Sequence, residues 1–252
     1  MDRFEKDQLK IEIRLDLEKE LEQITAKFIS DETERIKRGI KPWDKWSSDY
    51  DFIMEELIGN SVLVYLIERF GLNPLNALEL FGFGNIHLSL PDRSRVIAIG
   101  TNNYLNLPTA KDIESLYTFI QADFYNPNTI IQTEEVIKAK GIEDIDALFC
   151  IPRGPFGLVF ERLMEKYKNN QEIVFKVIGI YFLEKLEEYI KLLSPIGVAF
   201  IQIPIYFAWF NSSFVRYLVR RLKHLGFNLE LTRNRKYALI TRAYLEKSIN
   251  EA

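Results

Sequence analysis

Acidic, glycine and amide residues recur directly after short apolar runs in this sequence. Glu79-Leu80-Phe81-Gly82-Phe83-Gly84-Asn85 follows Ala77-Leu78, and Gly100-Thr101-Asn102-Asn103 follows Arg95 to Ile99. Asp123 and Phe124 follow Tyr117 to Ala122, and Ile151-Pro152-Arg153-Gly154 follows Asp146 to Cys150. A carboxylate followed by glycines, which let the backbone approach a ligand, can build a small-molecule site beside a helix N-terminus. Asp123 can accept a hydrogen bond from such a ligand or simply close a turn, and the same choice stands for Asp146. Arg153 lies in a loop stiffened by Pro152 and Pro155, where a guanidinium can hold a phosphate or carboxylate, or pair with Glu161. His87, just after the glycine turn, is a candidate general base. His87 and His224 stand far apart without companion ligands, which argues against a metal site.

The order of apolar runs sets where these residues must sit. The runs are ALELFG (77 to 82), RVIAIG (95 to 100), YTFIQAD (117 to 123), DALFCIP (146 to 152), GVAFIQIP (197 to 204), FNLELTR (227 to 233) and KYALITRA (236 to 243). Segments of helical or loop character follow each of the first five. Only Asn234 and Arg235 part the last two, which requires an antiparallel pair. The pattern predicts an α/β fold: a doubly wound, seven-stranded mixed sheet with its last strand antiparallel. In such sheets ligands bind beyond the carboxyl ends of the strands, where the acids, glycines and amides above fall.

Ahead of the sheet, residues 1–74 read as a helical N-terminal extension, and residues 75–252 as the Rossmann-like domain. Phe4, Leu9, Ile11, Leu15, Leu17, Leu21, Ile24, Phe28 and Ile29 recur at helical spacing among Glu and Lys, as in a cover helix or a partner-binding helix. After Gly39 and Pro42 an aromatic loop carries Trp43, Trp46 and Tyr50, suited to cap a pocket or to pin the arm to the core. A second helix is expected from about Tyr50 to Phe70, stopped by Gly71 and Pro74.

Composition removes other classes. The single Cys150 excludes an internal disulfide and any multi-cysteine metal centre, and its apolar run favours a buried thiol in a reducing cytoplasm. Charges dense from Asp2 onward do not read as a signal peptide, and Pro195, Gly197, Gln202, Pro204 and Asn211 interrupt the longest apolar stretch, so no membrane span is expected. A net charge of −3 gives no overall pull toward nucleic acid. Arg216, Arg220, Arg221, Lys223 and His224, with Arg233, Arg235 and Lys236, form either a local patch for a phosphate backbone or a solvated helix face. The charged stretch Glu184 to Lys191 reads as the solvated face of the helix before the fifth run. Phe156, Tyr206, Phe207, Trp209 and Phe210 can wall a planar acceptor or lie in the core.

Taken together, Glu79 with the glycine turn, RVIAIGTNNYLNLPTAKDI, FIQADFYNP, DALFCIPRGP and the GVAFIQIP strand with its terminal hairpin resemble a class I S-adenosylmethionine-dependent methyltransferase over about residues 75 to 243. The resemblance implies a seventh strand inserted antiparallel between the fifth and sixth, and S-adenosylmethionine across the ends of the first four. It implies that Gly82 and Gly84 admit the methionine half, whose amino group Glu79 bonds directly or through water. Asp123 would accept from the adenine amino group with Phe124 against the ring, Asn102 would serve the ribose hydroxyls, and Ile151, Pro152 and Arg153 would line the place where methyl group and acceptor meet. The motifs also depart from the family: Phe81, Phe83 and Asn85 stand where glycines are common, Gly100 stands where an acid is usual, and Ile151-Pro152-Arg153-Gly154 lacks the side chain of amino-methylating members. Two functions follow: methyl transfer to a small-molecule or nucleic-acid acceptor, or a methyltransferase-like binding or regulatory protein without catalysis. The N-terminal helices offer a surface for a homo-oligomer.

Overall fold

The computed structural model describes residues 3–38, 59–81, 86–101, 116–150, 156–203, 212–232 and 237–242. Seven strands form one sheet: β1 (Asn76–Leu80), β2 (Arg95–Gly100), β3 (Tyr117–Gln121), β4 (Ile145–Cys150), β5 (Leu193–Gln202), β6 (Phe227–Leu231) and β7 (Tyr237–Arg242). Their order is β3-β2-β1-β4-β5-β7-β6, with β7 antiparallel to both of its neighbours. Each expected run is therefore a strand. The helices are α1 (Arg3–Lys37), α2 (Val62–Phe70), α3 (Pro127–Ala139), α4 (Phe156–Lys166), α5 (Gln171–Ile190) and α6 (Ser212–His224).

Continuous apolar runs mark strands covered on both faces. Leu78, Leu80, Ile97, Ile99, Leu148, Cys150 and Ile201 point to one face and pack with α1 and α3 to α6. Ala77, Val96, Ala98, Ala147, Phe149, Val198 and Phe200 point to the other, with Val62 and Leu66 of α2. Cys150 is fully buried, and that burial pushes its thiol pKa up, as an inert core cysteine requires. Helix α2 starts after Ser61, whose hydroxyl caps it by accepting from the Val64 N–H at 3.3 Å, and the part of the expected helix from Tyr50 to residue 58 lies outside the described residues. Gly71, at φ 74°, ends it.

Part of the apolar set that the spacing names on α1 is covered and part is not. Ile13, Leu17, Leu21 and Ile24 are buried, whereas Phe4, Ile11 and Leu15 are 69%, 62% and 62% exposed. Full burial of one such side chain stabilises by roughly 1.5–3 kcal/mol, against about 0–1 for an exposed ion pair, so the apolar face docks α1 and the charges set its register. Those charges are Arg162 on Glu20 at 3.0 Å, Lys166 on Asp16, and Arg14 on Glu184 at 2.9 Å. Tyr167 also hydrogen-bonds the Asp16 and Glu12 carboxylates.

One further expectation is corrected. Lys185 and Glu187 are buried rather than solvated, and Arg221 grips Glu187 with two bonds of 2.7 and 3.2 Å across the α5–α6 contact. That takes Arg221 out of the cationic face of α6. Asp146 stands at the amino-terminal end of β4 and accepts from the Asn76 N–H at 2.9 Å, a tie between β1 and β4 away from the ligand rim. Trp43, Trp46, Tyr50, Tyr206, Phe207, Trp209, Phe210, Arg233, Arg235 and Lys236, and the side chains of Phe156, Phe28, Ile29 and His87, lie outside the described residues. No helix among the described residues is long and apolar enough to cross a membrane.

Two measurements test this packing. A Cβ on Gly197 would meet the Ile145 carbonyl oxygen and the Ser194 nitrogen at 3.0 Å, at the register shift between β4 and β5. Gly197→Ala should cost about 1–3 kcal/mol by chemical denaturation; an unchanged midpoint would contradict the contact. Burial opposes ionisation of Asp16, but Lys166 and Tyr167 outweigh it and hold its carboxyl below the usual carboxylate range. A depressed carboxylate stabilises above its unfolded value and loses that as pH falls through the folded one. Asp16→Asn should therefore lower Tm at neutral pH, with the gap closing in acid; a gap that widens in acid would contradict it.

Candidate functional site

The chain turns sharply after β3. The Asp123 carbonyl accepts from the Asn126 N–H at 3.0 Å and from the Thr129 hydroxyl at 2.7 Å. Its carboxylate Oδ1 accepts from the Tyr125 N–H at 3.1 Å. The Asn126 side chain then caps α3, and Pro127 occupies the first turn, where a missing N–H costs nothing. These bonds fix Asp123 at the carboxyl end of the sheet.

Its other carboxylate oxygen, Oδ2, accepts from the Thr25 hydroxyl of α1 at 3.0 Å. A cavity of about 820 Å³ opens here, lined by Asp123 and Thr25, the amides of Gln121, Asn126, Asn128 and Gln132, and charged groups of α1 and α5. That volume lies within the range of small-molecule sites. Burial raises the Asp123 pKa, opposed by the Tyr125 N–H and the Thr25 hydroxyl. Two cations line the cavity, and acids hold both. Arg14 bridges Glu184 and Glu18 and lies over the Tyr181 ring at 5.2 Å, and Lys185 turns to Glu188 at 3.4 Å. Asp123 is thus a carboxylate held by neutral donors with no cation on it among the described residues, suited to accept from a neutral N–H or O–H of a ligand.

Glu79 occupies the opposite face of the sheet. It is 3% exposed, with Ala98 and Phe149 beside it in register, and the Tyr117 hydroxyl donates to it at 3.3 Å. Phe81 is in the left-handed region at φ 63°, where the family pattern has a glycine. A side chain there costs on the order of 1–2 kcal/mol. The ring recovers that by packing on Phe124 at 4.7 Å and Tyr125 at 6.0 Å.

Phe124 does not lie where an adenine ring could rest on it. The ring is 2% exposed and stacks on Tyr189 at 5.3 Å and 22°, because the turn at Asp123 drives the next side chain into the core between Phe81 and Tyr189. Gly82, Gly84, Asn102, Ile151, Pro152 and Arg153 lie outside the described residues. Asp123 is the expected site residue that the cavity takes in. Thr25, Gln121, Asn126, Asn128 and Gln132 had not been expected there. Asn126-Pro127 announced a helix start, but nothing in the sequence joins Thr25 to Asp123, 98 positions away.

No protein-family model matches the chain, and no curated protein matches it. Among solved structures it is similar to the DhpI–SAH complex, at 14% identity, TM-score 0.42, and 88% and 98% coverage of the two chains. It is likewise similar to magnesium protoporphyrin IX methyltransferase (ChlM) from Synechocystis PCC 6803 with bound SAM, at 12% identity, TM-score 0.41, and 88% and 97% coverage. A possible exported protein from Bordetella parapertussis matches at 12% identity and TM-score 0.42 over 72% of this chain, which spans 65% of that protein's length. Likenesses this low carry no weight for activity. The sheet itself, ordered β3-β2-β1-β4-β5-β7-β6 with β7 antiparallel, is the arrangement of the class I methyltransferase fold.

Proposed function

We propose that the chain is an S-adenosylmethionine-dependent methyltransferase whose acceptor is a small molecule or a nucleic acid. The observation that carries this reading is Asp123: a carboxylate at the carboxyl end of β3, with no cation on it among the described residues, facing a cavity of about 820 Å³. A carboxylate offered only neutral donors, among side-chain amides, fits the amino and hydroxyl groups of a nucleoside. When bound, the cofactor supplies a methyl group on a sulfonium. In this reading Asp123 accepts from the adenine amino group, and Glu79, held by Tyr117, serves the methionine amino group through water. Gly82 and Gly84 give the backbone room, Asn102 takes the ribose hydroxyls, and Ile151, Pro152 and Arg153 position the acceptor in line with the donor. Such a reaction needs placement above all, which a site on rigid strand ends can supply. A cytoplasmic setting belongs to the same reading, and so does a homo-oligomer through the exposed α1 stripe of Phe4, Ile11 and Leu15.

A second reading, a binding or regulatory protein that has lost catalysis, is favoured by Phe81 in the glycine position and by the buried Phe124 ring. Calorimetric titration tests the first. The parent should bind S-adenosylhomocysteine with micromolar affinity; no heat at millimolar concentration would remove the cofactor from the account. Binding without consumption of the methyl donor across small-molecule and nucleic-acid acceptors would favour the second.

The Asp123 pKa adds a sharper test. An acid whose folded pKa is raised stabilises the fold below its unfolded value and loses that as pH rises through the folded one. Ionised Asp123 therefore opposes folding at neutral pH, and an Asn amide oxygen can still accept from the Tyr125 N–H. Asp123→Asn should hold or raise Tm at neutral pH while weakening S-adenosylhomocysteine about tenfold. A lower Tm with unchanged affinity would make Asp123 a turn residue only.

A further inference from the structure

We propose, resting on the reading of Asp123 as the acceptor for the cofactor's amino group, that Thr25 is a positioning residue whose hydroxyl holds the Asp123 carboxylate toward the cavity, so that α1 forms a wall of the binding site. The two carboxylate oxygens are held by separate donors, Oδ1 by the Tyr125 N–H at 3.1 Å and Oδ2 by Thr25 at 3.0 Å. Each oxygen keeps a further acceptor direction, so the pair of bonds fixes the plane of the group without saturating it. Thr25 is itself 5% exposed, follows the buried Ile24 and lines the cavity, so its hydroxyl is set by the docking of α1. Arg14, Glu18 and Glu22 of α1 and Lys185 and Tyr181 of α5 face the same cavity, with Tyr125 following Asp123 in the turn. Neither cation replaces Thr25, since Arg14 is held by Glu184 and Glu18 and Lys185 by Glu188.

The test is calorimetric titration of the full chain with S-adenosylhomocysteine, from mildly acidic to neutral pH, on the parent, Thr25→Val and Thr25→Ser, with melting curves for each. Thr25→Val should bind about tenfold more weakly at neutral pH, and Thr25→Ser should restore most of the loss. Without its donor the Asp123 carboxyl protonates more readily, so the fall in affinity on acidification should begin at higher pH in the Val variant. A change in helix packing alone would leave that midpoint in place. If Thr25→Val melts early, Thr25→Ala replaces it. Equal or tighter binding by a folded Val or Ala variant overturns the positioning role while leaving the cofactor reading intact. A parent that does not bind overturns both.

Discussion

One carboxylate joins the parts of this molecule on which the proposed function rests. Asp123 ends the third strand's turn, starts the run into α3 and takes a hydroxyl from α1, so three elements meet on a group that burial makes costly to ionise. A buried carboxylate is tolerated where donors surround it, and here the donors are neutral. Among the described residues no cation sits on this carboxylate, and a ligand bearing N–H or O–H groups could donate to it. The acids of α1 and α5 hold the cations nearby.

The rest of the structure keeps that group in place. The parallel strands are buried on both faces, and their carboxyl ends share one rim. On one face α1 adds an outer element whose apolar stripe sinks into the same core as α4 and α5. Its burial does most of the docking, and the Tyr167, Lys166 and Arg162 contacts select the rotation that brings Thr25 over Asp123. Near the rim, Phe81 gives up favourable backbone geometry in exchange for aromatic packing, so the backbone at Phe81 is stiffer than a glycine there would leave it.

Much of this was legible in the sequence. The strands announced themselves because two-sided burial produces unbroken apolar runs, and the closing hairpin because only Asn234 and Arg235 part its two apolar runs. Asp123 was legible from its position after the third run. The face of α1 was not, since its sequence carries one stripe through Ile13, Leu17, Leu21 and Ile24 and another through Phe4, Ile11 and Leu15, and only the partner surface decides between them. Phe124 was misplaced for a related reason: adjacency to Asp123 suggests the groove, but a sharp turn sends neighbouring side chains to opposite sides. Thr25 left no local trace, because its meeting with Asp123 depends on how a whole helix docks.

The most direct measurement is a crystal structure of the protein grown with S-adenosylhomocysteine. The account predicts the adenine amino group within hydrogen-bonding distance of Asp123, beneath α1, with Thr25 still donating to the same carboxylate. Ligand bound away from Asp123, or α1 displaced and the Thr25 bond broken to admit it, would contradict the account.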